Sequence, residues 1–226
     1  MLSGYYNKSL MVQQIEEGRH RNVIGGMWDE IGELQIAMLR QQGLQPHHTL
    51  LDVGCGSLRL GVRAVAYLDA GKYWGTDLVP ELMQAGYEKE IVPAGLAGKL
   101  PREQLVADAD FDFPGIPAAI DFAMATSVFT HLPLNHMRLC LANLGSRVDP
   151  GCRFYFTIFT PPAGASVNAA HQQNERAISH PHKDPYHYTV DDVLYAAKGL
   201  PWAITYIGAW NHPRNQKLVL AQRVAA

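Results

Sequence analysis

The sequence predicts a single α/β domain, with a mostly parallel sheet, helices on both faces and an antiparallel hairpin at the C-terminal end. Three observations predict it. Short apolar runs alternate with segments of helical period along most of the chain. The first run leads into a glycine-rich turn, Val53-Gly54-Cys55-Gly56. The last two runs are separated only by a turn, so they pair without a crossover.

The elements follow in order. Trp28, Ile31, Leu34 and Met38 recur at helical spacing, with Gly25 and Gly26 before them and Gly43 placed to end the helix. Residues 1–43 thus read as a helical cap. Thr49 to Val53 is the first strand, followed by the glycine turn and a helix expected from about Leu58 to Leu68. Lys72 to Asp77 is the second strand, and Pro80 suits the first turn of the next helix, where its missing N–H costs nothing. Gln104 to Ala107 and Ile120 to Ala125 read as strands three and four, and Leu134 to Val148 as a helix. Asp149, Pro150 and Gly151 make a turn before the β-rich run Cys152 to Thr160. Residues 161–187 show no period and read as a lid insertion, because long irregular segments in compact domains are usually lids or disordered. Thr189 is placed to cap a helix that carries Asp191 and Asp192 in its first turn. Trp202 to Ile207 and Lys217 to Gln222 close the hairpin around Asn211 to Asn215. Seven strands result.

Composition narrows the function classes. The 226 residues are 47% apolar and 18% charged, which suits a globular domain with a sizeable core. The net charge is −2 and no long basic run appears, so no nucleic-acid footprint is advertised. Cys55, Cys140 and Cys152 are odd in number and widely spaced, which does not suit a disulfide framework or a zinc pair. Cys55 has no evident partner base and reads as inert. No apolar run reaches membrane-spanning length, and the first residues lack a signal-peptide core. The expectation is a cytoplasmic protein, monomeric or homodimeric, with neither a membrane nor a nucleic-acid partner.

The chemistry concentrates at Leu50-Leu51-Asp52-Val53-Gly54-Cys55-Gly56-Ser57-Leu58-Arg59. Glycines between a strand and a helix let the backbone approach a ligand closely, and a helix start offers N–H groups to an anion. Asp77 ends the next strand, at the distance along the chain where an acid meets a ribose diol. The dinucleotide fingerprint wants a third glycine where Arg59 stands, and Asp52 would repel a pyrophosphate. A nicotinamide-dependent oxidoreductase therefore fits poorly. Taken alone, the two glycines also read as the shape of a turn; the acids in register argue for a ligand.

These residues resemble the first motif of the class I S-adenosylmethionine (SAM) methyltransferases: an acid, a glycine, any residue, a glycine. The sequence departs from the family at Leu58, where a third glycine is common. The similarity runs from about Thr49 to Arg223, in motif order. It implies a Rossmann-like seven-stranded sheet and SAM as cofactor. It further implies that Gly54 and Gly56 border the methionine part, Asp52 helps hold its amino group, Asp77 accepts from the ribose hydroxyls and Leu78 packs on the adenine. Asp108 would accept from the adenine amino group and Ala109 would offer a backbone N–H, with Asp110 and Asp112 as neighbouring alternatives in register.

The acceptor side follows the fourth strand, at Thr126-Ser127-Val128-Phe129-Thr130-His131-Leu132. Ser127 is placed for cofactor contact. His131 is the candidate base, since imidazole takes protons near neutral pH; the competing reading is a brace for the next helix. The tetrapeptide [DN]PP[YF], usual in relatives that methylate nucleobase or amide nitrogens, is absent. The expected reaction is methyl transfer to an oxygen or nitrogen of a small molecule, with oxygen favoured by the histidine. A non-catalytic SAM-binding module is the alternative. Tyr5, Tyr6, Trp28 and His187 are candidate substrate contacts, with core packing the competing reading for Trp28. His180, His182, Asp184 and His187 form a polar cluster that reads as part of the lid, and no metal is expected. His212-Pro213-Arg214, in the last turn, reads as structural.

Overall fold

The computed structural model describes residues 8–225. Three helices come first: α1 (Lys8–Glu16), α2 (His20–Val23) and α3 (Trp28–Gln41). Four parallel neighbours then build the sheet outward from β1 (Leu50–Val53). They are β2 (Tyr73–Asp77), β3 (Leu105–Ala107), β4 (Phe122–Ala125) and β5 (Arg153–Ile158). A two-stranded hairpin, β6 (His171–Gln172) with β7 (Ile178–Ser179), stands apart. The chain ends in β8 (Trp202–Ala209) and β9 (Lys217–Arg223), which pair antiparallel, with β9 also antiparallel to β5. The main sheet reads β3-β2-β1-β4-β5-β9-β8, a mostly parallel seven-stranded Rossmann-like order.

Strand alternation divides the core into two layers. Leu51, Val53, Phe154 and Phe156 face one side, packing with Met137, Cys140, Leu141 and Leu144. Those four belong to α6 (Leu134–Arg147), and α7 (Val190–Ala197) covers the same face. Leu50, Tyr73, Phe122, Met124 and Tyr155 face the other side, against α3 and α4 (Gly61–Tyr67). Helix α5 (Pro80–Gly86) lies on that side too and continues into a π-helical turn, Tyr87–Ile91. Helix α1 of the cap packs in a separate cluster: its Met11 and Ile15 meet Leu82 and Ala85 of α5.

Sequence expectations met at several ends have physical causes visible here. Pro80 occupies the first turn of α5. Thr189 caps α7 through a complete capping box, its hydroxyl accepting from the Asp192 N–H while the Asp192 carboxylate accepts from the Thr189 N–H. Two expectations need correction. The helix after the glycine turn starts at Gly61 rather than Leu58, because Leu58 has a left-handed φ of +66°, which no α-helix accommodates. Residues 161–187 are not featureless: they hold the β6–β7 hairpin and are tied down by bridges pairing Phe159 with His187 and His180 with Tyr186. Two-residue strands are too short to leave a period in the sequence. Among the described residues no helix is long and apolar enough to cross a membrane.

Candidate functional site

The strand order reverses at β1, whose neighbours β2 and β4 lead to opposite edges. The crevice beyond the C-terminal ends of such strands is where α/β sheets bind ligands. A narrow cavity opens there. The turn after β1 contributes Asp52, Gly54 and Gly56, and the end of β2 contributes Asp77 and Leu78. Asp108 and Ala109 follow β3, and Ser127 and His131 follow β4. Four separate strand ends thus bring every candidate cofactor residue, and the candidate base, to one cavity.

The glycines are required by space. Gly54 and Gly56 adopt φ of +70° and +54°. A Cβ on Gly54 would lie 2.5 Å from a Val128 methyl, and one on Gly56 would lie 2.8 Å from an Ile24 methyl. Leu58 keeps a left-handed backbone at the position where the resemblance leads one to expect glycine, and its side chain is fully buried against the α4 layer. Burial offsets the local strain, so the backbone path survives the missing glycine.

Asp52 and Asp77 differ in setting. Asp52 is buried and its Oδ2 accepts the Tyr73 hydroxyl at 2.8 Å. Burial pushes its carboxyl up to about 7, against the pull of the Tyr73 hydroxyl and the Arg59 guanidinium. Asp77 accepts the Gly56 N–H at Oδ2 and the Val79 N–H at Oδ1, both at 2.8 Å. Burial pushes it up to about 6, opposed by those two N–H groups. Asp77 therefore ties the glycine turn to the start of α5 while facing the cavity. Burial likewise raises the Cys55 thiol well above its usual range, keeping it a thiol.

Asp108 is committed locally. Its Oδ1 accepts the N–H groups of Asp110 and Asp112, and its Oδ2 accepts that of Phe113, so it shapes the loop that carries Ala109. Ser127 sits at φ +62°, held by its N–H to the Thr157 hydroxyl and by Gln216 at its Oγ. A non-glycine residue held in that region beside a cavity is a mark of a functional turn.

The structure adds two residues that the sequence did not single out for the site. Gln35 of α3 is buried in the cavity wall; its Nε2 donates to the Thr126 hydroxyl at 2.8 Å. Among the described residues nothing donates to its Oε1. Arg59, also buried in this wall, donates from Nη1 to the carbonyls of Gly26 at 3.0 Å and Ile24 at 3.5 Å, which fastens the cap over the glycine turn. Neither carries a sequence signal, because each reaches the site through tertiary packing.

His131 gains a partner from the insertion: its Nδ1 lies 2.6 Å from Oδ1 of Asp184. His131 also lines a second cavity, broad and about 740 Å³ in volume. The remaining candidates lie elsewhere. Trp28 is buried outside both cavities, with the Arg21 guanidinium 4.6 Å from its ring centre and His20 edge-on, so it braces the cap. His187 is buried too; its Nδ1 meets the Ser179 hydroxyl and its Nε2 the Val167 carbonyl, both at 3.0 Å. It staples the insertion and lines neither cavity. Tyr5 and Tyr6 lie outside the described residues. Among the described residues no three His, Cys, Asp or Glu side chains gather as a metal site requires. Pro213 and Arg214, read from the sequence as structural, line the second cavity.

No protein-family model matches the chain. Solved structures do resemble it. A magnesium protoporphyrin IX methyltransferase from Synechocystis PCC 6803, with bound SAM, is 18% identical and has a TM-score of 0.62, covering 96% of both chains. CalS10, an SAM-bound amino pentose methyltransferase from Micromonospora echinaspora, is 16% identical at a TM-score of 0.62, covering 93% of this chain and 97% of its own. DesVI from Streptomyces venezuelae is 14% identical at 0.61, covering 93% and 98%. The fold of this chain is that of the class I SAM-dependent methyltransferases.

Proposed function

We propose that the protein transfers a methyl group from SAM to a hydroxyl of a small molecule. The observation that carries this is the convergence of Asp52, the Gly54–Gly56 cradle and Asp77 in one cavity that also reaches the His131–Asp184 pair. The residues fit the cofactor on their own chemistry. The cradle excludes any Cβ, the Asp52 carboxylate is buried, and the Gln35 Oε1 is an acceptor in need of a donor. An ammonium supplies both the charge that Asp52 wants and an N–H for Gln35. Arg59 would meet the methionine carboxylate, Asp77 the ribose hydroxyls, and Leu78 and Ala109 the adenine.

Bound there, SAM supplies an activated methyl on a sulfonium leaving group. The chain has to align an acceptor oxygen with that methyl and take its proton. Asp184 at Nδ1 of His131 would orient the imidazole and stabilise its protonated form, which suits His131 to take that proton. An acceptor oxygen aligned there would gain the methyl as a new O–CH3 bond and give its proton to His131, while the electron pair of the broken S–CH3 bond would stay on sulfur, leaving S-adenosylhomocysteine. The histidine–carboxylate pair favours a protonated oxygen nucleophile and favours an enzyme over a binding-only module.

The test is calorimetric titration with SAM and with S-adenosylhomocysteine, for wild type and Asp77→Ala. The expected result is micromolar binding, about −8 kcal/mol, that Asp77→Ala strongly weakens. A folded protein, free of copurified cofactor, that binds neither ligand would overturn the proposal.

A further inference from the structure

We infer that the second cavity binds an acceptor bearing a carboxylate on an apolar body, with the carboxylate at Arg176 and Arg214. This rests on the methyl-transfer reading of the adjoining cavity, since His131 lines both.

The argument is one of unbalanced charge beside apolar surface. Met27 of the cap, Phe159 after β5 and Ile178 of the insertion give the cavity apolar walls. Two guanidinium groups share that wall with one carboxylate, Glu175. Among the described residues no carboxylate comes within ion-pair distance of Arg176 or Arg214. The Arg176 side chain makes no hydrogen bond to a described residue. Arg214 uses Nη2 on the Gly25 carbonyl. A guanidinium carries five N–H donors in a fixed fork matched to carboxylate geometry, so most of this donor capacity remains for a ligand.

The position matters as much as the charge. Arg176 comes from the insertion and Arg214 from the last hairpin turn, and both line one cavity that His131 lines too. A carboxylate held in that cavity would offset the excess of positive charge that its walls carry. A hydroxy acid satisfies both ends: its hydroxyl lies at His131 beside the cofactor cavity, and its carboxylate lies at the arginine pair. Its carbon skeleton then covers Met27, Phe159 and Ile178. A neutral or cationic amine acceptor would leave the arginines unpaired.

The test uses hydroxybenzoate, hydroxycinnamate and hydroxybutyrate, each beside its uncharged amide, titrated calorimetrically with and without saturating S-adenosylhomocysteine. At least one acid should bind about ten-fold or more tightly than its amide. That preference should collapse in Arg176→Gln and reverse toward the amide in Arg176→Glu. Arg176 is exposed and its side chain makes no hydrogen bond to a described residue, so these variants fold as the parent does; Arg214→Gln, which also frees Gly25, serves as the second variant. Amides that bind as well as acids, or a preference that survives both arginine substitutions, would overturn the inference. Loss of S-adenosylhomocysteine binding with an intact, arginine-dependent acid preference would sink the methyl-transfer reading and leave the anion site standing.

Discussion

The two cavities that meet at His131 are built from different material. The first is walled by strand ends: Asp52, Asp77, Asp108 and Ser127 each sit where a parallel strand stops, and the hydrogen-bonded ladders of the sheet fix those stops. The second is walled by connections: Met27 from the cap, Arg176 and Ile178 from the insertion, Arg214 from the hairpin turn. A strand end is positioned by its neighbours in the sheet, whereas a loop is positioned by whatever side chains staple it. Here the staples are identifiable. His187 and Gln173 hold the insertion through Ser179, Val167 and the Thr160 carbonyl, and Arg214 holds the cap through Gly25. The difference teaches that one fold can present one cavity fixed by the sheet beside another free to vary, because loops change without disturbing the sheet.

The largest effect that would sharpen this contrast is at the junction. His131→Ala should lower kcat by about 10²–10⁴-fold while the SAM dissociation constant stays put, and Asp184→Ala should lower kcat by less. Stopped-time methylation assays with parallel calorimetry separate the two readouts. A fall in SAM affinity matching the fall in kcat would mean that His131 belongs to the cofactor site alone.

Asp52→Asn comes next and acts in opposite directions on stability and binding. The folded-state carboxyl is raised from 3.8 to about 7, so its favourable contribution is complete below pH 3.8 and lost as pH rises through 7. Replacing it with a neutral amide, which still accepts the Tyr73 hydroxyl, should stabilise the protein at pH 8 by a few kcal/mol, at most about 4. The gain should vanish near pH 4. SAM should bind the variant more weakly, and wild type should bind it more tightly above pH 7 than below, where Asp52 is protonated. Urea unfolding at two pH values and calorimetry check both arms; a variant no more stable at pH 8 would break the account.

Asp77→Ala should weaken SAM binding by about 100-fold, the loss of two hydrogen bonds to a charged acceptor. The hydroxy-acid affinity of the second cavity, measured without cofactor, should not move. Coupled losses in both cavities would show that they are not separately built. The smallest effect is expected far from both. Thr189→Ala removes the α7 capping box and should cost about 1 kcal/mol of stability, read as a lowered Tm with SAM affinity intact.

The sequence was most informative where function depends on local order. Gly54 and Gly56 stand at positive φ because the turn after β1 has no room for a Cβ, and a run of strand residues ending in glycines announces such a turn. Asp77 could be read because strand length and spacing set where β2 ends. Thr189 could be read because a cap and its partner lie three residues apart. Leu58 misled the reading of the next helix, since a leucine does not announce a left-handed backbone.

By itself, then, the sequence determined the alternation of strands and helices, the cradle between β1 and α4, and the acids aligned with it. These rest on interactions within a few residues or on a strict strand period, which a linear string records. Only the tertiary structure decided that Asp184 joins His131 across 53 positions, that the unpartnered Gln35 oxygen faces the Asp52 cavity, and that Arg176 and Arg214 share a wall. It also decided that Trp28 and His187 are braces. Such meetings depend on how separate segments pack, and packing leaves no periodic trace in the order of the residues.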